Sequence, residues 1–128
     1  MKQRRRGLLL LTCAGALLTS TGAFAGIRDS QPLIIDDVNQ SAIGSLGNAY
    51  NSQSTSELIG CGSGGTWGSC LVIDSTGKSR SCVTTDPALV SQIRSVNSDS
   101  TLYFGWDASG KCTFITVQSY SSGQPKSR

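Results

Sequence analysis

Four cysteines place the tightest limit on what this chain can become. Cys61, Cys70, Cys82 and Cys112 are those that remain once a leader carrying Cys13 is removed. An even number in an exported chain points to two disulfides closed in an oxidising compartment. Zinc is the competing use, but the chain has no histidine, and an all-thiolate site would need paired CxxC knuckles that these spacings lack. No metal and no cofactor is expected.

Three pairings are open to four cysteines. If Gly64-Gly65-Thr66-Trp67 is a four-residue hairpin loop, Cys61 faces Cys70, and Cys82 is left to bridge Cys112 across the sheet. A bulged turn at Asp74-Ser75-Thr76-Gly77 would also put Cys70 opposite Cys82, at a hydrogen-bonded pair whose wider separation suits a disulfide less well. Pairing 61 with 70 and 82 with 112 is the expectation, with 70 to 82 as its alternative.

The leader is read from Met1 to Ala25. Lys2, Arg4, Arg5 and Arg6 form a basic start, Gly7 to Leu18 is mostly apolar, and Ala23-Phe24-Ala25 is a small-residue cleavage site. Arg5-Arg6 also fits a twin-arginine signal. No later run approaches the roughly 20 apolar residues of a membrane span. The processed chain is expected to be exported, periplasmic or extracellular, with no transmembrane segment. Four of the 11 basic residues lie in the leader, which leaves seven against eight acidic ones. The basicity therefore belongs to targeting, and a nucleic-acid surface loses its support.

Beyond the leader, residues 26–56 are read as an arm and a marginal helix, 57–118 as the disulfide-stabilised core, and 119–128 as a flexible tail rich in Ser, Gly, Gln and Pro. From Ser41 to Ser52, Ala42, Ile43, Leu46, Ala49 and Tyr50 fall at helical spacing, although Gly44 and Gly47 weaken a helix. Glu57 to Gly62, Thr66 to Ile73 and Lys78 to Thr85 read as strands. Asp86 is an N-cap before Pro87, and Leu89, Val90, Ile93 and Val96 make the apolar stripe of a three-turn helix.

Thr101 to Trp106 and Lys111 to Gln118 follow as a hairpin around Asp107-Ala108-Ser109-Gly110, whose turn chemistry echoes Asp74-Ser75-Thr76-Gly77. Leu102, Phe104, Trp106, Cys112 and Phe114 are expected on one face, as core beneath the helix; a sugar-stacking aromatic platform is the alternative use. The fold class predicted is α+β: an antiparallel sheet of four to five strands with one helix packed on one face, stapled by two disulfides.

NAYNSQSTSELIGC (Asn48 to Cys61), SVNSDSTLYFGWDASGKCTFITV and a tail ending in Gln124-Pro125-Lys126 together resemble a group of short exported bacterial proteins of unknown function. The likeness covers most of the processed chain and all four cysteines. The group has no assigned activity, so the resemblance implies compartment and fold regularity, and carries over no catalytic residue.

Without histidine the commonest general base and every His-dependent triad are missing. Glu57 is the only glutamate, and Asp74, Asp86 and Asp107 have turn or cap roles. Asp36-Asp37 is the one adjacent acidic pair, and a carboxylate-dependent hydrolase is the least favoured reading. No catalytic residue is assigned. The expected function is a non-enzymatic, protein-binding or inhibitor-like module, with Trp67 on its glycine-rich loop as candidate anchor, although a tryptophan there more commonly folds back onto the core. The alternative is a structural subunit of an envelope or extracellular assembly that offers Leu33, Ile34 and Ile35 to a neighbour. The partner is accordingly an unknown protein or a second copy of the chain.

Overall fold

The computed structural model describes residues 31–120. The leader, its cleavage site and residues 121–128 of the tail lie outside the described residues. Within them the α+β class is as expected. Seven strands and two helices run in the order β1 (Ile34–Asp36), β2 (Ser41–Ser45), α1 (Leu46–Asn51), β3 (Leu58–Ser63), β4 (Gly68–Ile73), β5 (Ser79–Thr84), α2 (Pro87–Arg94), β6 (Ser100–Trp106) and β7 (Cys112–Ser119). All pairing within the sheets is antiparallel, and the strands divide into a four-stranded sheet, β1-β2-β6-β7, and a three-stranded sheet, β3-β4-β5.

The second sheet exists because Ser41–Ser45 is a strand and not the start of a helix. Its residues pair with β1 on one side and β6 on the other, with Ala42 between Ile35 and Phe104. Two neighbouring strands satisfy its backbone groups, and that outweighs a weak helical pattern already diluted by Gly44. The helix survives only as Leu46–Asn51, begun by the Ser45 hydroxyl, which accepts from the Asn48 N–H at 3.2 Å.

Both predicted bulged turns form, and they are chemically alike. Gly77 and Gly110 take the left-handed conformation at φ of 84° and 79°, which glycine adopts without a Cβ clash. Asp74 Oδ1 accepts from the N–H and hydroxyl of Thr76 and the N–H of Lys78. Asp107 Oδ1 does the same with Ser109 and Lys111. Helix α2 begins as predicted, the Asp86 carboxylate accepting from the Ala88 N–H at 2.8 Å ahead of Pro87.

The two sheets share one core. Val72 from β4 and Leu102 and Phe104 from β6 are fully buried, with Ala42, Ile59, Ile115 and the ring of Trp106 around them. Val90 and Ile93 bury the apolar face of α2, which packs on β7, β3 and β4. Phe114 departs from expectation. The ladder pairs Trp106 with Cys112 but Gly105 with Phe114, so Thr113 is an extra residue and everything after it changes face. Ile115 takes the core position. Phe114 lies on the outer face over Gly105, where an added Cβ would sit 2.4 Å from its ring, and meets Tyr103 edge-on at 4.7 Å.

The disulfides are Cys61–Cys70 and Cys82–Cys112, with Cα separations of 4.0 and 4.9 Å. Cys70 is also the register partner of Cys82, so Cys61, Cys70 and Cys82 occupy matched positions on three adjacent strands. The first bridge closes one hairpin. The second joins the two sheets, beside a Val83 N–H to Gly110 carbonyl bond of 3.0 Å. Farther along, Asp37 ties the sheets again through Lys78 at 2.6 Å and Arg80 at 2.9 Å.

Candidate functional site

The β3–β4 hairpin presents Trp67. Its strands run in register up to Ser63 and Gly68, and the Gly64 N–H donates to the Trp67 carbonyl at 2.9 Å to close the loop. Below it, the Cys61–Cys70 bridge removes the freedom of the two strands to slide or splay. Trp67 is 50% exposed. Its indole is neither on the core nor free in solvent, because it lies over Gly64, where an added Cβ would come within 2.4 Å of the indole Nε1. Any side chain at that position would displace the ring.

The loop is held from a second side by a residue that the sequence reading did not single out. Arg94, in the last turn of α2, donates from Nη2 to the Gly65 carbonyl at 2.7 Å and to the Gly64 carbonyl at 3.4 Å. Nothing local announces a contact across 29 residues. The only signal was that Arg94 falls one turn after Val90 and so beside the buried stripe. Indole and guanidinium therefore flank the same glycine. Between the loop and the helix runs a cleft of about 360 Å³ lined by Gly65, Thr66, Thr85, Pro87, Val90 and Arg94. Among the described residues Arg94 makes no ion pair, and its Nε and Nη1 have no protein partner.

A wider recess of about 480 Å³ lies where the sheets join, between Val83 to Asp86 and Ser109 to Cys112. It abuts the Cys82–Cys112 bridge. Among the described residues its charged side chains are Asp86, already occupied as the α2 cap, and Lys111.

The carboxylates are spread among turns. Asp36 accepts from the N–H groups of Val38 and Asn39 and from the Asn39 amide, and these bonds, Asn39 first, hold its pKa below the ordinary carboxylate value. Asp37 is lowered chiefly by its hydrogen bond to Lys78, then by Arg80. Asp74 and Asp107 are lowered chiefly by the hydroxyls of Thr76 and Ser109. The adjacent pair Asp36-Asp37 thus splits, one residue capping its own turn and the other joining two sheets. Among the described residues no three His, Cys, Asp or Glu side chains gather in a way that could hold a metal ion.

Leu33, Ile34 and Ile35 are divided between two surroundings. Leu33 and Ile35 pack against the core, whereas Ile34 points outward from β1 and is 49% exposed. The segment pairs with β2 of its own chain, and among the described residues its other edge carries no strand. On the outer face Ile34 stands in one row with Ile43 and Tyr103. Trp67 and this row are separate surfaces, on different sheets.

No helix among the described residues is long and apolar enough to cross a membrane. No protein-family model matches the chain, and neither the curated proteins nor the solved structures contain one significantly similar to it.

Proposed function

We propose that the chain is a small exported module that binds another protein through the Trp67 loop, without catalysing a reaction. The observation that carries this reading is the preorganisation of Trp67: a half-exposed indole bedded on Gly64, on a hairpin closed by a disulfide and pinned by Arg94. A rigid exposed tryptophan loses little conformational freedom on binding, and Trp and Arg are the residue types most concentrated at interface hot spots. Export is supported by the two disulfides and by the leader read in residues 1–25. The resemblance to short exported bacterial proteins belongs to the same reading. The engagement of Asp36, Asp37, Asp74 and Asp107 in turns and ion pairs supports the non-enzymatic part of it.

The test is capture from envelope and culture-fluid fractions of the producing cell on immobilised oxidised protein, wild type against Trp67→Ala. Truncating a hot-spot tryptophan removes about 2 kcal/mol or more of binding energy, roughly a thirtyfold loss. The half-exposed ring leaves the melting temperature little changed. Equal capture by both proteins would sink the reading.

The β1 edge favours a second reading, a subunit that adds β1 to a neighbour's sheet, since its outer side is unpaired and Ile34 is exposed beside it. Light scattering after size exclusion separates the two. Mass that grows with concentration, and stops growing in Ile34→Lys, supports the subunit; a monomer throughout rejects it.

A further inference from the structure

We infer that the cleft between the Trp67 loop and α2 receives a carboxylate-bearing side chain of the partner, with an apolar residue beside it. This rests on the protein-binding reading of the Trp67 loop and specifies the chemistry of what binds. Arg94 is the starting observation. Its Nη2 is committed to the Gly64 and Gly65 carbonyls, which fixes the guanidinium in place, while Nε and Nη1 have no partner among the described residues, and the side chain lines a cleft. The other arginine of the described residues, Arg80, is neutralised by Asp37, but Arg94 has no carboxylate among those residues. A fixed guanidinium with unused donors suits a carboxylate, because its ordering has already been met by the fold and charge-assisted bonds are stronger than neutral ones.

The rest of the lining selects what accompanies that carboxylate. Pro87 and Val90 supply an apolar wall, and Thr66 and Thr85 supply hydroxyls, with no second charge in the lining among the described residues. The indole of Trp67, across Gly64 from Arg94, extends the apolar surface outward. Among the described residues Lys78 and Arg80 are already paired with Asp37, and Lys111, which makes no ion pair, lies in the other recess without the carbonyl contacts that fix Arg94. An acidic residue next to an aliphatic one, on an extended segment or loop of the partner, fits both halves.

The experiment is an NMR titration of the nitrogen-labelled oxidised protein with two blocked peptides, Ac-Gly-Glu-Leu-Gly-NH2 and its Gln counterpart. The expected result is saturable shifts at the amides of Thr66, Thr85, Val90 and Arg94 with the Glu peptide, weakened about tenfold with the Gln peptide, as loss of one charge-assisted contact implies. Arg94→Gln should abolish the difference between the peptides. Because that change also removes the loop contact, Arg94→Lys is the companion variant, expected to keep a preference for Glu. No saturation by the Glu peptide up to about 100 mM, past the weakest affinity that one charge-assisted contact of ordinary strength provides, overturns the inference. So does equal binding of the two peptides, which would mark the cleft as merely apolar. If Trp67→Ala loses partner capture while the peptides show no preference, protein binding stands and the acidic class alone falls.

Discussion

Replacing one disulfide at a time by a pair of alanines separates the work of the two bridges. They differ in span, with a sequence separation of 9 for Cys61 and Cys70 and of 30 for Cys82 and Cys112. The chain-entropy relation then gives about 2.6 kcal/mol for the first and about 3.6 kcal/mol for the second, from the freedom each removes from the unfolded chain. The native state adds to the gap in the same direction. Cys82 and Cys112 are both buried where the sheets meet, whereas Cys61 is only partly so. The alanine pair at 82 and 112 therefore leaves the larger void. Alanine is preferred to serine because it introduces no hydroxyl into a buried site. In thermal melts followed by circular dichroism, the Cys82→Ala/Cys112→Ala protein should melt about 4–8 °C or more below the Cys61→Ala/Cys70→Ala protein, the shift that about 1 kcal/mol produces in a domain of this size. Equal melting temperatures, or the reverse order, would refute the argument that loop span and the junction between sheets decide the ranking.

Two further outcomes test particular contacts. Asp37 has a pKa held below the ordinary carboxylate value by Lys78 and Arg80, so it stabilises the folded state above the ordinary carboxylate range and ceases to do so as pH falls through the lowered value. Asp37→Asn should accordingly melt below wild type near neutral pH, with a gap that narrows under strong acid and in high salt; a gap of constant size at every pH would assign it to something other than this ion pair. Ile115→Ala should destabilise by about 2–5 kcal/mol as a core truncation, and Phe114→Ala by clearly less because its ring is on the outer face. Urea unfolding of both variants decides this, and the opposite order would mean that the bulge at Thr113 is absent.

What could be read from the sequence is what neighbouring residues settle between themselves. Asp74 and Asp107 grip their own turns, so the two hairpins and the pairing of Cys61 with Cys70 follow from local chemistry and loop length. Asp86 and Pro87 begin α2 for the same reason. The misread parts depend on distant partners. Ser41–Ser45 becomes a strand only because β1 and β6 lie on either side of it, and that pairing creates the division into two sheets. Phe114 leaves the core through a bulge coupled to the bare backbone of Gly105. Trp67 was visible as a candidate, yet its bed and its Arg94 pin came from segments whose meeting no periodicity encodes.

The row of cysteines across β3, β4 and β5 has a consequence for how the bonds come to be made. If export delivers the chain unfolded and N-terminus first into an oxidising compartment, Cys61, Cys70 and Cys82 emerge in turn, and Cys112 last. During that interval Cys70 stands opposite two thiols, Cys61 on one side and Cys82 on the other, while the rightful partner of Cys82 has yet to arrive. Early closure of the short Cys61–Cys70 loop takes Cys70 out of the competition and keeps Cys82 in reserve. On that route the hairpin that carries Trp67 is also the element whose prompt folding would protect the bond between the sheets.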